Sequence, residues 1–330
     1  MIVWRRRAAA LLGSAVLAVT GDAHAGEPPL RAPAQQLQAA LHCQPDLRAG
    51  RKPVLLVHGT GLSGREQWRD PVDYVRVLNA AGHRTCYVNL PEKSLGDVQT
   101  NAEYVVAAVR AMSARARGRV ALYGYSQGGL LVRWALTYWP DLRPHVSDAV
   151  SVATPDHGTN WASIKASVDF ICRPYFGCPP AFWQMTIGSH LLRALNDGRD
   201  ETPGTLRWTT IRSSTDDIVQ PETGSHPTSA LAGARNVLIQ RVCPGRDRDH
   251  FDISYDSVAL AVLLDALRHR SPVDRRRFPE NVCAHPYAPG LDEQAVREYD
   301  KEQRDVLARR TASYSPQAKR EPPVRPYANR

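Results

Sequence analysis

The chain has 330 residues, 43% of them hydrophobic and 23% charged, a globular balance long enough for one large α/β domain. Its formal charge of +9 is spread along the chain, with basic runs at the N-terminal Arg5-Arg6-Arg7, at Arg275-Arg276-Arg277 and in the tail. Scattered charge of this kind makes a solvated face, so no nucleic-acid partner is expected.

Arg5-Arg6-Arg7 precedes an apolar run from Ala8 to Val19, followed by Ala23-His24-Ala25. A basic start, a short apolar core and an A-x-A site predict a secretory signal peptide over residues 1–25. The run is too short to span a bilayer. The expected location is therefore secreted or periplasmic. Residues 26–42 form a Pro/Ala-rich lead.

"PVLLVHG" is an apolar, β-branched run ending in glycine and predicts a buried strand. "DPVDYVRVLNAAG" has helical periodicity with a glycine stop, and "TCYVNLP" is strand-like. "VQTNAEYVVAAVRAMSARARG" predicts a long amphipathic helix. "RVALYGY" is a strand, "GGLLVRWALTYW" a helix ended by Pro140, and "VSDAVSVATP" a strand. "TLRWTTIRSSTDDIV" and "NVLIQRVC" predict later strands, and "SVALAVLLDALRHR" an apolar helix. Strands alternating with helices argue for a mostly parallel sheet covered on both faces. Residues 156–196 break that rhythm and carry Trp161, Phe170, Tyr175, Phe176, Phe182 and Trp183 among prolines. They are expected to be a lid-like insertion over the carboxyl ends of the strands, where α/β sites lie. The α/β domain is thus expected over 43–285, with 286–330 as a polar, basic tail, a surface wrap or disordered.

Six cysteines are present: Cys43, Cys86, Cys172, Cys178, Cys243 and Cys283. An even number in an exported chain predicts three disulfides, and spacing alone leaves 15 pairings open. Cys172 and Cys178, separated by five residues in "CRPYFGC", are expected to pair with each other. No C-x-x-C pair or His/Cys cluster has zinc spacing, so neither a metal nor a cofactor is expected.

The chemistry centres on Gly124-Tyr125-Ser126-Gln127-Gly128. This G-x-S-x-G follows an apolar strand and opens a helix, the context of a nucleophile elbow. The helix that begins after Ser126 aims its N-terminus at the site and favours developing negative charge. A serine nucleophile needs a base, and the base needs an orienting acid, in the chain order Ser, Asp or Glu, His. "SSTDDIVQP" offers Asp216 and Asp217 at a strand end, and the pattern does not choose between them. "CPGRDRDHFDIS" places His250 in a loop between a strand and an apolar helix; His226 is the other late histidine in a loop setting. One oxyanion donor would be the N–H of Gln127, and the second would come from the "HGTG" loop, where Thr60 offers a backbone N–H and a hydroxyl.

The stretches "GTG", "VQTNAEYVVAAV", "YSQGGLLVRWALTYWP", "PAFWQMTIGS", "STDDIVQP" and "NVLIQRVC" resemble the Candida antarctica lipase B-like lipases of the α/β-hydrolase superfamily and their bacterial relatives. The likeness covers roughly residues 43–270. It implies an α/β-hydrolase fold and hydrolysis of carboxylic esters, acylglycerols among them, without a cofactor. It implies Ser126 as nucleophile, Asp216 as acid, His250 as base, and Thr60 and Gln127 as the oxyanion hole. It also implies substrate contacts from Tyr125, Asp156, Trp183 and Met185, and the disulfides Cys43–Cys86 and Cys243–Cys283. Tyr125 stands where that family has a tryptophan walling the alcohol pocket, and Met185 where it has a glutamine. An acyltransferase or polyester hydrolase would use the same triad, and a non-catalytic binding protein could keep the scaffold. The expected partners are a small-molecule or lipid ester and transient contact with a lipid interface, with the chain a monomer.

Overall fold

The structure, a computed structural model, describes residues 27–160 and 177–329. Seven strands form one sheet: β1 (Leu41–Cys43), β2 (Arg51–Val57), β3 (His83–Val88), β4 (Val120–Tyr125), β5 (Val146–Val152), β6 (Arg207–Arg212) and β7 (Arg235–Leu238). Their order is β1-β3-β2-β4-β5-β6-β7. All neighbours run parallel except the edge strand β1, which is antiparallel to β3. The helices are α1 (Ala34–Ala40), α2 (Gly64–Trp68), α3 (Tyr74–Ala80), α4 (Val98–Ala116), α5 (Gln127–Tyr138), α6 (Pro180–Met185), α7 (His190–Asn196), α8 (Ile239–Val242), α9 (Ser257–Arg268) and α10 (Glu293–Ser313).

Two apolar cores flank the sheet, because side chains alternate along each strand. Leu55 and Val57 pack with residues of α4 and α5, and Val54 and Leu56 with residues of α3 and α9. Burial on both faces explains why β2 and β4 are continuous apolar runs rather than alternating ones. The mostly parallel sheet covered on both faces, expected from the element order, is present, in keeping with the α/β-hydrolase fold that the resemblance implies. Among the described residues no helix is long and apolar enough to cross a membrane.

Cys43 bonds to Cys86 and fastens β1 to β3; Cys243 bonds to Cys283 across the loop that follows α8. Cys178 is disulfide-bonded. Its expected partner Cys172, like the signal segment 1–25 and the aromatics Trp161, Phe170, Tyr175 and Phe176, lies outside the described residues.

Two expected strands are corrected, and the tail, expected as a surface wrap or disordered, takes a defined form. The stretch "NVLIQRVC" is half strand and half helix, β7 turning into α8 at Ile239. The strand predicted over 205–219 stops at Arg212, and beyond it Ser213 Oγ accepts from the Thr215 N–H (3.2 Å) and folds the chain into a turn. The tail holds the 21-residue helix α10, with Val296, Tyr299 and Gln303 buried against the body. α10 is charged on most of its circumference, so its thin buried stripe gives only a weak amphipathic pattern.

Candidate active site

β4 ends at the centre of the sheet, and α5 begins one residue after Ser126. Ser126 has φ 52° and ψ −127°, a backbone conformation that non-glycine residues adopt only under constraint. Two close approaches impose it. A Cβ on Gly124 would lie 2.5 Å from the Gly129 nitrogen, and one on Gly128 would lie 2.3 Å from the Val57 oxygen. Only glycine lets α5 start so close behind β2 and β4. The Ser126 N–H donates to the Val152 carbonyl at 2.9 Å, which fastens the turn to β5.

The His250 ring reaches both expected partners. Its Nε2 is 2.9 Å from Ser126 Oγ, and its Nδ1 is 2.9 Å from Asp216 Oδ2. All three side chains are buried. The other Asp216 oxygen accepts from the N–H groups of Ile218 (2.9 Å) and Val219 (2.8 Å), which fixes the carboxylate plane. Of the two adjacent carboxylates, Asp216 is the one whose side chain meets the imidazole. Asp217 accepts from the His250 backbone N–H at 3.2 Å and pairs with Arg304 of α10, on the outside of the loop. Burial pushes the Asp217 carboxyl up, but the bonds from Arg304 and the His250 N–H more than offset this and hold it below its ordinary value. His226 is exposed and takes no part.

The loop after β2 faces Ser126. His58 is fully buried, and burial lowers its pKa to about 4, so the ring is neutral. Its Nδ1–H donates to the Gly59 carbonyl (2.8 Å), and its Nε2 accepts from the Leu90 N–H (3.0 Å). The histidine thus staples the loop from inside. Thr60 Oγ1 donates to Gln127 Oε1 at 2.7 Å, so the two expected oxyanion residues touch through their side chains. As the first residue of α5, Gln127 has an N–H with no acceptor inside the helix.

Ser126 opens into a narrow cavity of about 30 Å³. Its walls are apolar and include Leu62, Phe182, Met185, Ile218, Val219 and Leu307. Tyr125 and Met185, two of the residues expected at the substrate, line it. Tyr125 also donates its hydroxyl to the His250 carbonyl (2.9 Å) and sets its ring 5.3 Å from the imidazole. Asp156 and Trp183, also expected at the substrate, are not among its lining residues. Asp156 is buried behind the wall, with its carboxylate 3.7 Å from the buried Arg133 guanidinium. Burial pushes the Asp156 pKa up to about 6 against the pull of Arg133. Trp183 turns away and donates its indole N–H to the Ala318 carbonyl at 3.0 Å.

Sequence reasoning missed α10. Its Leu307 forms part of the cavity wall, and its Arg304 bridges Asp217 and Asp249 (2.6 Å to the latter), the chain neighbours of Asp216 and His250. Arg310 binds Glu66 (2.7 Å) and the Gly61 carbonyl. The signal was available in the spacing of Val296, Tyr299, Gln303 and Leu307, one per turn along an otherwise charged helix. Among the described residues no group of three or more acidic, histidine or cysteine side chains is placed to hold a metal ion.

No family model matches the chain. It is 32% identical over 221 residues to lipase B of Pseudozyma antarctica, a match that spans 66% of this chain and 62% of that protein. The chain therefore spans just under two thirds of that curated relative's length. A triacylglycerol lipase of Burkholderia plantarii is 31% identical over 126 residues, 36% of this chain and 34% of that protein. Among solved structures, lipase B of Aspergillus fumigatus superposes with a TM-score of 0.83 at 30% identity, over 98% of this chain and 77% of that one.

Proposed function

The chain belongs to the lipase B family of α/β-hydrolases, and from that premise we propose that it is an exported serine hydrolase of carboxylic esters, acylglycerols among them. The observation that carries this reading is the hydrogen-bonded line from Ser126 Oγ through His250 to Asp216, set on a strained elbow. His250 Nε2 takes the serine proton as Oγ attacks the ester carbonyl. Asp216 holds Nδ1–H and so keeps Nε2 free to accept; it also stabilises the imidazolium that forms. The N–H groups of Gln127 and Thr60, with the Thr60 hydroxyl, receive the oxyanion. His250 then protonates the leaving alcohol, and an acyl group stays on Ser126. Water activated by the same histidine releases the acid.

The apolar cavity wall suits an acyl chain, which gains by leaving water. The cavity of about 30 Å³ holds little more than a water, so an acyl chain enters only as the wall yields. Disulfide bonding supports an oxidising compartment, in keeping with export. The test is hydrolysis of p-nitrophenyl esters of short and long acyl chain by the wild type and by His250→Ala. Turnover by the wild type that falls to background in the variant supports the reading. Equal turnover by both would contradict it.

A further inference from the structure

The segment between β3 and α4 contains three consecutive left-handed residues, none of them glycine. Glu92, Lys93 and Ser94 have φ of 52°, 56° and 62°. Such strain persists only where the surroundings over-determine it. Here they do. The Lys93 carbonyl accepts from the Gly61 N–H at 2.7 Å. The Lys93 ammonium binds Glu66 (3.0 Å), and Glu92 accepts from the Tyr314 hydroxyl (2.7 Å). The contorted run is thereby held against the "HGTG" loop, and it delivers one side chain inward. Ser94 is fully buried, and its hydroxyl donates to Gln127 Oε1 at 2.8 Å. Asn101 Nδ2 donates to Ser94 Oγ at 3.4 Å, which turns the serine proton toward Gln127.

Gln127 Oε1 therefore accepts two hydroxyls, from Ser94 and from Thr60. The carboxamide is completely buried, so its oxygen cannot turn to water. Thr60 has two claims on one proton. At rest its hydroxyl donates to Gln127; during acyl transfer the same proton is wanted by the oxyanion. If Thr60 were the sole donor to Gln127 Oε1, turning away would orphan a buried carbonyl, which is costly. Building on the ester-hydrolase reading above, we propose that Ser94 is a positioning residue of the oxyanion hole. Its hydroxyl keeps Gln127 Oε1 satisfied and so releases the Thr60 hydroxyl to the transition state. The backbone strain at residues 92–94 is the means by which the serine is brought there.

The experiment measures kcat and KM on a soluble p-nitrophenyl ester for wild type, Ser94→Ala, Ser94→Gly, Thr60→Val and Ser94→Ala/Thr60→Val. Ser126→Ala serves as the control for the ester-hydrolase reading itself. Both Ser94 variants should lose about 5- to 100-fold in kcat, the range set by one orphaned buried acceptor, with KM shifted less than about twofold. Glycine at φ 62° relieves backbone strain, so Ser94→Gly should melt at or above the wild-type temperature and still lose kcat. In the Thr60→Val background, Ser94→Ala should change kcat less than about twofold, because no hydroxyl is left to release. Wild-type kcat in Ser94→Gly, or an undiminished Ser94→Ala effect in the Thr60→Val background, would overturn the proposal while an inactive Ser126→Ala upholds the ester-hydrolase reading. An active Ser126→Ala would instead remove the reading on which it rests.

Discussion

Replacing Glu222 by glutamine should stabilise the protein at neutral and alkaline pH and leave it nearly unchanged near pH 4. Glu222 follows the Asp216 loop and is fully buried. Burial pushes its pKa up to about 9; the Ser229 hydroxyl bound to its carboxyl pulls the other way, and the nearby Asp216 charge adds to the rise. Its second oxygen, Oε2, has no hydrogen-bond partner. In the unfolded chain a glutamate titrates near ~4.3. A carboxyl whose folded pKa is raised contributes stability that is complete below the unfolded value and is lost as pH rises through the folded one. Between those limits the folded state keeps a proton the unfolded state has released, and stability falls by about 1.4 kcal/mol per pH unit. From pH 4.5 to 7 the loss is on the order of 3 kcal/mol. Glutamine has nearly the same shape as the protonated acid and does not titrate. Urea unfolding of both proteins at pH 4.5, 7 and 9 reads the effect, and the difference between them cancels every other titrating group. The variant's advantage should grow steadily with pH. Parallel curves for the two proteins would refute a protonated buried Glu222.

Asp216→Asn should lower kcat roughly 10⁴-fold by releasing the imidazole from its orientation, while Asp217→Asn changes it little; steady-state kinetics on one ester compares them. Tyr125→Phe removes the hydroxyl from the buried His250 carbonyl and should cost about 1–2 kcal/mol in urea unfolding. Opening Cys43–Cys86 by double substitution to serine should cost about 4 kcal/mol in a chain-entropy account, since the bridge closes a separation of 43 residues.

Much of the site is legible in the chain because its chemistry is local. The serine announces itself through glycines that a tight turn requires, and β2 and β4 through apolar runs that only a doubly covered strand tolerates. The acid and base follow from order along the chain, but choosing Asp216 over Asp217 takes the resemblance or the geometry. Adjacent carboxylates differ only in which way the loop turns them. What lies beyond reach is long-range. Leu307 meets the site from 181 residues beyond Ser126 on a helix whose surface is mostly charged. Asp156 is absent from the cavity lining and lies beside the buried Arg133, a pairing of which order along the chain says nothing. Trp183 is aromatic and next to Phe182, but only Phe182 faces the cavity, because successive helical positions point in different directions. Ser94 carries no motif at all. Its role depends on three left-handed residues that propensity argues against.

The central claim is that Ser126 is a nucleophile activated by His250. A phosphonate ester probe tests it directly, because it forms a stable covalent bond only with an activated serine. After incubation at neutral pH, peptide mapping by mass spectrometry should find one label per chain on Ser126. Ester hydrolysis should fall in proportion to labelling, and Ser126→Ala should neither label nor turn over. An unlabelled Ser126, or a Ser126→Ala protein that still hydrolyses esters at the wild-type rate, would contradict the account.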